Sequence, residues 1–300
     1  MEKYTTISKL LCLVLLLNIT FAQAQSYHTL LTTGYAYGTG KEGKAVENIF
    51  LKASLPLKLK NGNYLLVNTD VHRQSFYFDT VPSRTGYKTS LVVGYMKMKK
   101  DGSGSLVTIL NFGNNFEQGA MGIESMQIGV GILAVKKKSP RLKVKYGLYV
   151  NKERFGYLIV PLFGVDYKIN DNMRLFGVMP QNFKFEIKYN DKVRYGAMFD
   201  APVNTYRVMG TTGWGYLDQR QVQVGLFGDI YFSKKLAMQV VVKQPIFNSH
   251  KIFSNNETYS MSILGIGVGG TRTGETVPQA YVKHGIMIEC SLNYRLEIDK

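Results

Sequence analysis

The stretch IMIECSLNYRLEI, residues 286–298, alternates between two kinds of side chain along its whole length. Every second residue from Ile286 to Ile298 is apolar, aromatic or cysteine, and among the residues between them only Met287 is not polar. Successive side chains of a β-strand point to opposite faces, so this period of two predicts a strand with one apolar and one polar side. Soluble strands are usually shorter, whereas roughly 9–11 tilted residues cross a bilayer. The stretch therefore predicts a wall strand of a transmembrane β-barrel, with a lipid-facing side and a wet side.

The same alternation recurs along the chain and predicts an antiparallel up-and-down barrel. It occupies residues 183–189 and resumes at 193–199 after the turn Asn190-Asp191, which predicts a β-hairpin. Short polar turns alternate with mostly longer segments, and this asymmetry is typical of outer-membrane barrels. The longer segments lie near residues 77–86, 113–123, 151–156, 200–219 and 248–280.

About fourteen strands are predicted, an even number as such barrels require. The range is twelve to sixteen, because 173–179 is short and 261–269 is a further candidate strand. The predicted strands lie near residues 29–38, 49–60, 64–76, 87–99, 105–112, 125–137, 141–150, 157–169, 173–179, 183–189, 192–199, 219–232, 236–247 and 282–298.

The N-terminus carries the pattern of a secretory signal peptide. Lys3 and Lys9 precede a short apolar run, and Ala22-Gln23-Ala24 is a small-residue cleavage pattern. We therefore predict a signal peptide over residues 1–24 and one barrel domain over residues 25–300. Cys290 is then the only cysteine, so no intrachain disulfide can stabilise the exported chain. With 12% aromatic and 45% hydrophobic residues, the composition excludes a disordered secreted protein.

One block of the chain resembles a known family. The block comprises FGVDYKINDNMRL at residues 163–175, Met179-Pro180, the alternating strand 183–189 and Tyr206-Arg207-Val208. Over roughly residues 155–235 the chain resembles an uncharacterised Bacteroidota-type family of outer-membrane barrels, known only as a domain of unknown function. The resemblance implies a barrel in the outer membrane of a Gram-negative bacterium and supplies no activity or site. The chain departs from many outer-membrane proteins in that it does not end on an aromatic residue.

Polar side chains on the wet faces of the predicted strands are the candidate lumen residues. Inward Lys and Arg would bias such a lumen toward anionic solutes, in line with a formal net charge of +16. The alternative is that the basic residues contact anionic lipid headgroups at the rim. Nucleic-acid binding is disfavoured, because the basic residues are dispersed among alternating strands. The candidates are Asn68, Asp70, His72, Lys143, Lys145, Lys184, Glu186, Lys188, Glu289 and Arg295.

The sequence assigns no catalytic residue, metal ligand or cofactor. Asp70 and His72 share a strand face and could form the acid–base pair of a hydrolase, but no nucleophile is placed beside them. A solvated, hydrogen-bonded row is the expected structure there. His28, His250 and His284 are scattered without the spacing of metal ligands. The glycines of residues 265–270 lack the Lys-Ser/Thr of a phosphate-binding loop.

We thus predict an outer-membrane barrel that is a passive pore or carrier for small solutes. Its inward basic residues would favour anionic solutes. Its expected partners are outer-membrane lipids and the barrel-assembly machinery. The alternative is a non-transporting barrel that binds lipid or glycan through its long loops near 200–219 and 248–280. A soluble β-sandwich also remains open, and the sequence does not specify the solute or the oligomeric state.

Overall fold

The computed structural model describes residues 27–39, 45–76, 84–210, 213–270 and 285–297. The predicted signal peptide lies outside the described residues. Among those residues, no helix has the length and apolar character needed to span a membrane. One short 3-10 helix occupies Ile123–Ser125, and the other regular elements are β-strands.

The strands are numbered in chain order. They are β1 Tyr27–Thr39, β2 Ala45–Lys58, β3 Tyr64–Phe76, β4 Arg84–Met98, β5 Gly104–Glu117, β6 Met126–Ser139, β7 Leu142–Glu153, β8 Gly156–Lys168, β9 Met173–Met179, β10 Asn182–Lys188, β11 Val193–Asp200, β12 Val203–Gly210, β13 Gly213–Tyr231, β14 Leu236–Ser254, β15 Tyr259–Ile263, β16 Ile266–Gly270 and β17 Met287–Glu297.

Fourteen of these strands form a closed antiparallel ring. Each of β1 to β10 pairs with the next strand in sequence, β11 pairs with β13, β13 with β14, and β14 with β17. The ring closes where β17 pairs with β1, from Tyr27 opposite Glu297 to Gly38 opposite Met287. Closure removes the free edges that an open sheet would expose. The predicted fold class and strand number are confirmed.

The two faces of the wall differ as the alternation predicts. In β17, Ile288 and Leu292 are 51% and 46% exposed, while Asn293 and Arg295 are 4% and 3% exposed. Met287, the exception to the pattern, lies on the inward face and is buried. Large apolar side chains cover the outer surface of most wall strands. Such a surface is unfavourable in water and favourable in a bilayer. The architecture is that of an outer-membrane-type barrel.

The wall bends inward where β11 and β12 meet. The two strands keep one register against β13, with Asp200 opposite Gln223 and Val203 opposite Arg220. Proline cannot donate to the ladder, and Pro202 lies at the break between them. β13 and β14 have a bulge at the same level, and bulges bend strands. Beyond it, β12 crosses the barrel to β5, where Arg207 lies opposite Phe116 in parallel.

Three strand segments lie on the long-loop side of this bend: Val203–Gly210 and residues 213–221 and 248–254. We call them the inner sheet. The prediction of long loops near 200–219 and 248–280 is wrong for most of their described residues, which are strand. The sequence did not indicate a strand here because the consecutive residues Tyr216, Leu217 and Asp218 are all buried. A segment that is buried on both faces lacks the alternation that marks a wall strand. The candidate strand at 261–269 is the hairpin β15–β16. The predicted longer segment at 151–156 is a two-residue connection between β7 and β8.

Candidate functional site

The candidate site is the barrel interior, and the wall strands direct the ten predicted lumen residues toward it. Glu186, Lys188 and Arg295 are almost fully buried. Asn68, Asp70 and His72 share one face of β3, and Lys143 and Lys145 share the face of β7 that carries the buried Asn151 and Glu153. Lys184 lies with its ammonium 5.1 Å from the centre of the inward Phe227 ring. Glu289 alternates with Met287 and Ser291 on the buried face of β17.

A cluster of ion pairs projects into the lumen at the short-turn end. Arg295 donates from Nη1 to Asp229 Oδ2 at 2.8 Å and to the Tyr231 hydroxyl at 2.6 Å. Tyr27 on β1 donates to Glu186 Oε2 on β10 at 2.8 Å, and β1 and β10 are not neighbours in the ring. We call these residues, together with Arg194, the basal cluster.

Cation–π contacts also join Tyr27 to the two arginines of the basal cluster. The Tyr27 ring centre lies 4.3 Å from the Arg295 guanidinium carbon and 5.1 Å from that of Arg194. Arg194 also pairs with Glu186, at 3.2 Å from Nη1 to Oε1. Side chains from strands that are not neighbours thus meet, and they narrow the lumen on this side.

Two further ion-pair groups line the lumen. Lys243 Nζ lies 2.8 Å from Glu289 Oε2 and 3.6 Å from Asp200 Oδ2. Arg174 makes a two-fold contact with Asp166, at 2.7 Å for each nitrogen–oxygen pair. Among the predicted residues, Glu289 is therefore neutralised by a partner. Sequence reasoning missed the other four residues, although inward parity on their strands could have indicated them.

The lumen cations fall into two classes. Arg295 pairs with Asp229, and Lys188 pairs with Asp191 in the turn after β10. The hydrogen bond from Lys188 holds the pKa of the Asp191 carboxyl below its usual value. By contrast, Lys143, Lys145 and Lys184 form no ion pair with a described residue. Among the predicted lumen cations, these three are the ones available to an anionic solute.

Asp70 and His72 touch, as their spacing predicted. His72 Nε2 lies 2.6 Å from Asp70 Oδ1, and His72 Nδ1 lies 3.1 Å from the Asn48 side-chain oxygen. Lys88 Nζ lies 3.6 Å from Asp70 Oδ2 and donates to Asn204 on β12 at 3.1 Å. Both imidazole nitrogens are occupied, so neither remains to deprotonate a nucleophile. The pair fits a structural link between the wall and the inner sheet.

Thr205 anchors the inner sheet to the polar wall. Its side chain is fully buried and donates to Glu153 Oε2 at 2.5 Å. Gln127 Nε2 donates to the Thr205 hydroxyl at 2.8 Å, and Asn115 donates to the Thr205 carbonyl at 3.1 Å. These three wall residues come from β7, β6 and β5. The inner sheet therefore narrows the long-loop end of the lumen.

A cavity of about 880 Å³ remains inside the barrel. Inward residues of β3 to β7, including Asn68, Asn111 and Tyr149, form its polar wall, and the strands around the inward bend form an apolar part. Cavities of 300–1,000 Å³ are of the size that small molecules occupy. The described residues hold no group of three or more His, Cys, Asp or Glu side chains that could bind a metal ion.

Comparison with known proteins finds likeness in structure but not in sequence. No protein-family model matches the chain, and no curated protein sequence matches it. Similar solved structures include an outer membrane channel from Pseudomonas putida F1, with TM-score 0.47, 8% identity, and coverage of 93% of this chain and 100% of that one. A mutant of the Rh. blastica porin has TM-score 0.29 and 6% identity, with coverage of 90% and 99%. The β domain of the Bordetella autotransporter BrkA has TM-score 0.32 and 10% identity, with coverage of 89% and 98%. Identities this low transfer no function to this chain.

Proposed function

We propose that this protein is a channel for small hydrophilic solutes in the outer membrane of a Gram-negative bacterium, with a preference for anions. The observation that carries the proposal is a closed ring whose outside is apolar and whose inside is polar and holds a cavity of about 880 Å³. Such a ring places a hydrated path through a hydrocarbon layer. Outer-membrane lipids would surround it, and the barrel-assembly machinery would insert it.

The geometry favours a narrow path over a wide pore. The basal cluster occupies the lumen on the side of β1, β10, β11, β13 and β17, and the inner sheet narrows the opposite end. Solutes would therefore pass along the β3 to β8 side, where the cavity lies. A path bounded by side chains on all sides selects by size and by hydrogen bonding.

The preference for anions depends on the unpaired lysines. Lys143 and Lys145 lie near the short-turn end of β7 on its inward face. Rings of Lys and Arg are the usual means by which a pore favours anions. Four interior carboxylates, those of Asp166, Glu186, Glu289 and Asp229, are already engaged with Arg174, Arg194, Lys243 and Arg295.

Conductance in planar bilayers tests the proposal. We expect small, stable conductance steps and, in a KCl gradient, a reversal potential of the sign that chloride permeation gives. Lys145→Glu should move that potential toward the potassium value. Lys152→Glu makes the same charge change on the outward face of the same strand and should leave it unchanged. Absence of conductance at all voltages, together with no solute flux into liposomes, would reject the channel.

The alternative of a surface-interaction barrel gains no specific support from the described residues. It required the segments near 200–219 and 248–280 to project outward as loops. Instead the inner sheet is built from them and packs against the wall through Thr205 and Tyr216.

A further inference from the structure

In the part of the chain that the structure describes, the barrel wall has a gap on one side, near the long-loop end. β9, β10 and β11 have 7, 7 and 8 residues, while their neighbours β8 and β13 have 13 and 19. β9 pairs with β8 only from Phe163 to Lys168. Above that level β11 continues as β12, which has left the wall. The short strands therefore cannot close the upper wall.

The hairpin β15–β16 covers only part of this gap. β15 runs parallel to β8, with Met261 opposite Tyr157 and Ile263 opposite Ile159, and Leu264 donates to the Ile159 carbonyl at 3.0 Å. Since β8 descends from the long-loop end, the turn Leu264-Gly265 points down. The turn Pro180-Gln181 between β9 and β10 points up toward it.

Between these two turns, one edge of β8 has no strand partner among the described residues. The unpaired stretch is residues 160–162, about 10 Å of strand at roughly 3.3 Å per residue. Pro161 lies in its middle, and proline is accepted at a strand edge because it has no N–H to satisfy. An unpaired backbone edge is not tolerated against hydrocarbon, but it is tolerated where it lines a cavity.

The cavity reaches this gap. Its lining includes both turns and the strands on either side of them, through Val160, Pro180, Phe199, Val222, Leu264 and Ile266. The far wall of the same cavity is rich in amides, through Asn68, Asn111, Asn115, Gln127 and Asn151. One cavity thus has an apolar part at the gap and a polar part inside the barrel.

The polar part has one carboxylate without a basic partner among the described residues, Glu153, whose oxygens accept hydrogen bonds from Asn151 and Thr205, and it has amide oxygens without partners. Lys88 pairs with Asp70, and Arg220 makes two hydrogen bonds to Asp218. The side-chain oxygens of Asn111, Asn115 and Asn151 are buried and have no hydrogen-bond partner among the described residues. Buried amide oxygens without partners are costly, and a ligand hydroxyl would satisfy them.

We propose that the gap is a lateral portal, through which an uncharged amphiphile with a hydroxyl-bearing head and one hydrocarbon chain enters the cavity from the surrounding lipid. The head group donates hydrogen bonds to the amides of β5 and β7. The hydrocarbon chain lies between the two turns, against Val160 and Val222. This route opens sideways to lipid and shares its polar end with the cavity of the proposed aqueous path.

Photolabelling in phospholipid nanodiscs tests the portal. The probe is a monoacylglycerol with a diazirine in its acyl chain, compared with the fatty acid of the same chain. We expect monoacylglycerol labels concentrated on residues 158–162, 180–181, 199–202 and 264–266. Labels spread evenly over outward faces, such as those of β3 and β4, would overturn the proposal. Preferential labelling of the portal by the fatty acid would overturn the choice of an uncharged head.

Two variants isolate the portal. Ala201 lines the cavity at the bend, so Ala201→Trp should fill the gap and lower its labelling by about tenfold, a change worth about 1.4 kcal/mol. Ala53→Trp, on the outward face of β2 away from the gap, should label as the unaltered protein does. Unchanged labelling of a folded Ala201→Trp protein would contradict the proposal. If that variant does not fold, competition on the unaltered protein decides: unlabelled monoacylglycerol should compete and glycerol should not.

The two proposals fail independently. A channel that conducts but shows no portal labelling would leave the aqueous path and remove the lateral one. Portal labelling without conductance would do the reverse.

Discussion

At the scale of single residues, many charges in the interior of this barrel are paired. Arg295 and Asp229 are 3% and 0% exposed and contact one another through both guanidinium Nη atoms. A buried charge is expensive to desolvate, and only its partner makes it tolerable. Pairing therefore decides which lumen cations act on a solute and which only hold the wall together.

Removing one member of the buried pair should destabilise the barrel strongly. Asp229→Asn leaves the Arg295 guanidinium without its counter-charge, and we expect a loss of about 3–5 kcal/mol in the free energy of unfolding. Denaturant titration of the folded protein in detergent, followed by gel mobility, measures it. Asp191→Asn is the comparison variant, because that carboxylate is 88% exposed and solvent screens its interaction with Lys188, so we expect a smaller loss. Equal losses in the two variants would contradict a buried cluster.

At the scale of elements, strand length and strand bending shape the lumen. Three short strands lower one side of the wall, and the break at Pro202 sends the next segment inward. The inner sheet then depends on a few polar anchors, of which Thr205 has the most partners. Glycine allows the close approach of strands that such bending requires.

Loss of the Thr205 hydroxyl should loosen the inner sheet. Thr205→Val leaves the side chains of Glu153 and Gln127 each short of a hydrogen bond, at about 1–3 kcal/mol per unsatisfied group. We expect faster amide hydrogen exchange over residues 203–210 and a larger channel conductance. Thr205→Ser keeps the hydroxyl and should behave nearly as the unaltered protein. Slow exchange in the valine variant would show that other contacts hold the sheet.

A methyl group at Gly196 should disrupt the wall. A Cβ there would lie 1.8 Å from the Phe185 carbonyl oxygen on β10, whereas one at Gly228 would meet nothing within 4 Å. We expect Gly196→Ala to reduce the yield of folded barrel severely, because backbone must move to accommodate it. Gly228→Ala should be neutral or stabilising by up to about 1 kcal/mol. Heat-modifiable gel mobility after refolding compares the two, and equal yields would refute the predicted clash.

At the scale of the whole molecule, the ring of fourteen strands separates an apolar outside from a polar inside. Leu110, in the middle of β5, is 48% exposed, as are similar residues around the barrel. In water these side chains would be a liability, while in a bilayer they are the reason the barrel is stable. The cost of placing a charge on the outer surface therefore reports what surrounds it.

The energetic cost of an arginine on the outer face should depend on its depth in the bilayer. We expect Leu110→Arg to make folding into lipid vesicles less favourable by about 2–4 kcal/mol. Leu236→Arg, beside a short turn, should make it less favourable by only about 0–1 kcal/mol. Folding titrations in lipid vesicles measure both. No penalty for Leu110→Arg, with the chain folded in aqueous buffer, would mean that the apolar face does not meet hydrocarbon.

The sequence by itself determined the wall. A period of two is a local property, because each side chain of a strand faces opposite to the next whatever lies far away. That is why residues 286–298 predicted the two faces of β17, and why the spacing of Asp70 and His72 predicted their contact.

The tertiary structure alone decided what fills the lumen. The pairing of Tyr27 with Glu186, the position of Asp229 beside Arg295 and the passage of β12 to β5 all join residues that are far apart in the chain. Segments buried on both faces, such as residues 215–219, lose their alternation and resemble loops in sequence. The gap beside β8 likewise arises from the different lengths and bends of neighbouring strands, which only the closed ring brings together.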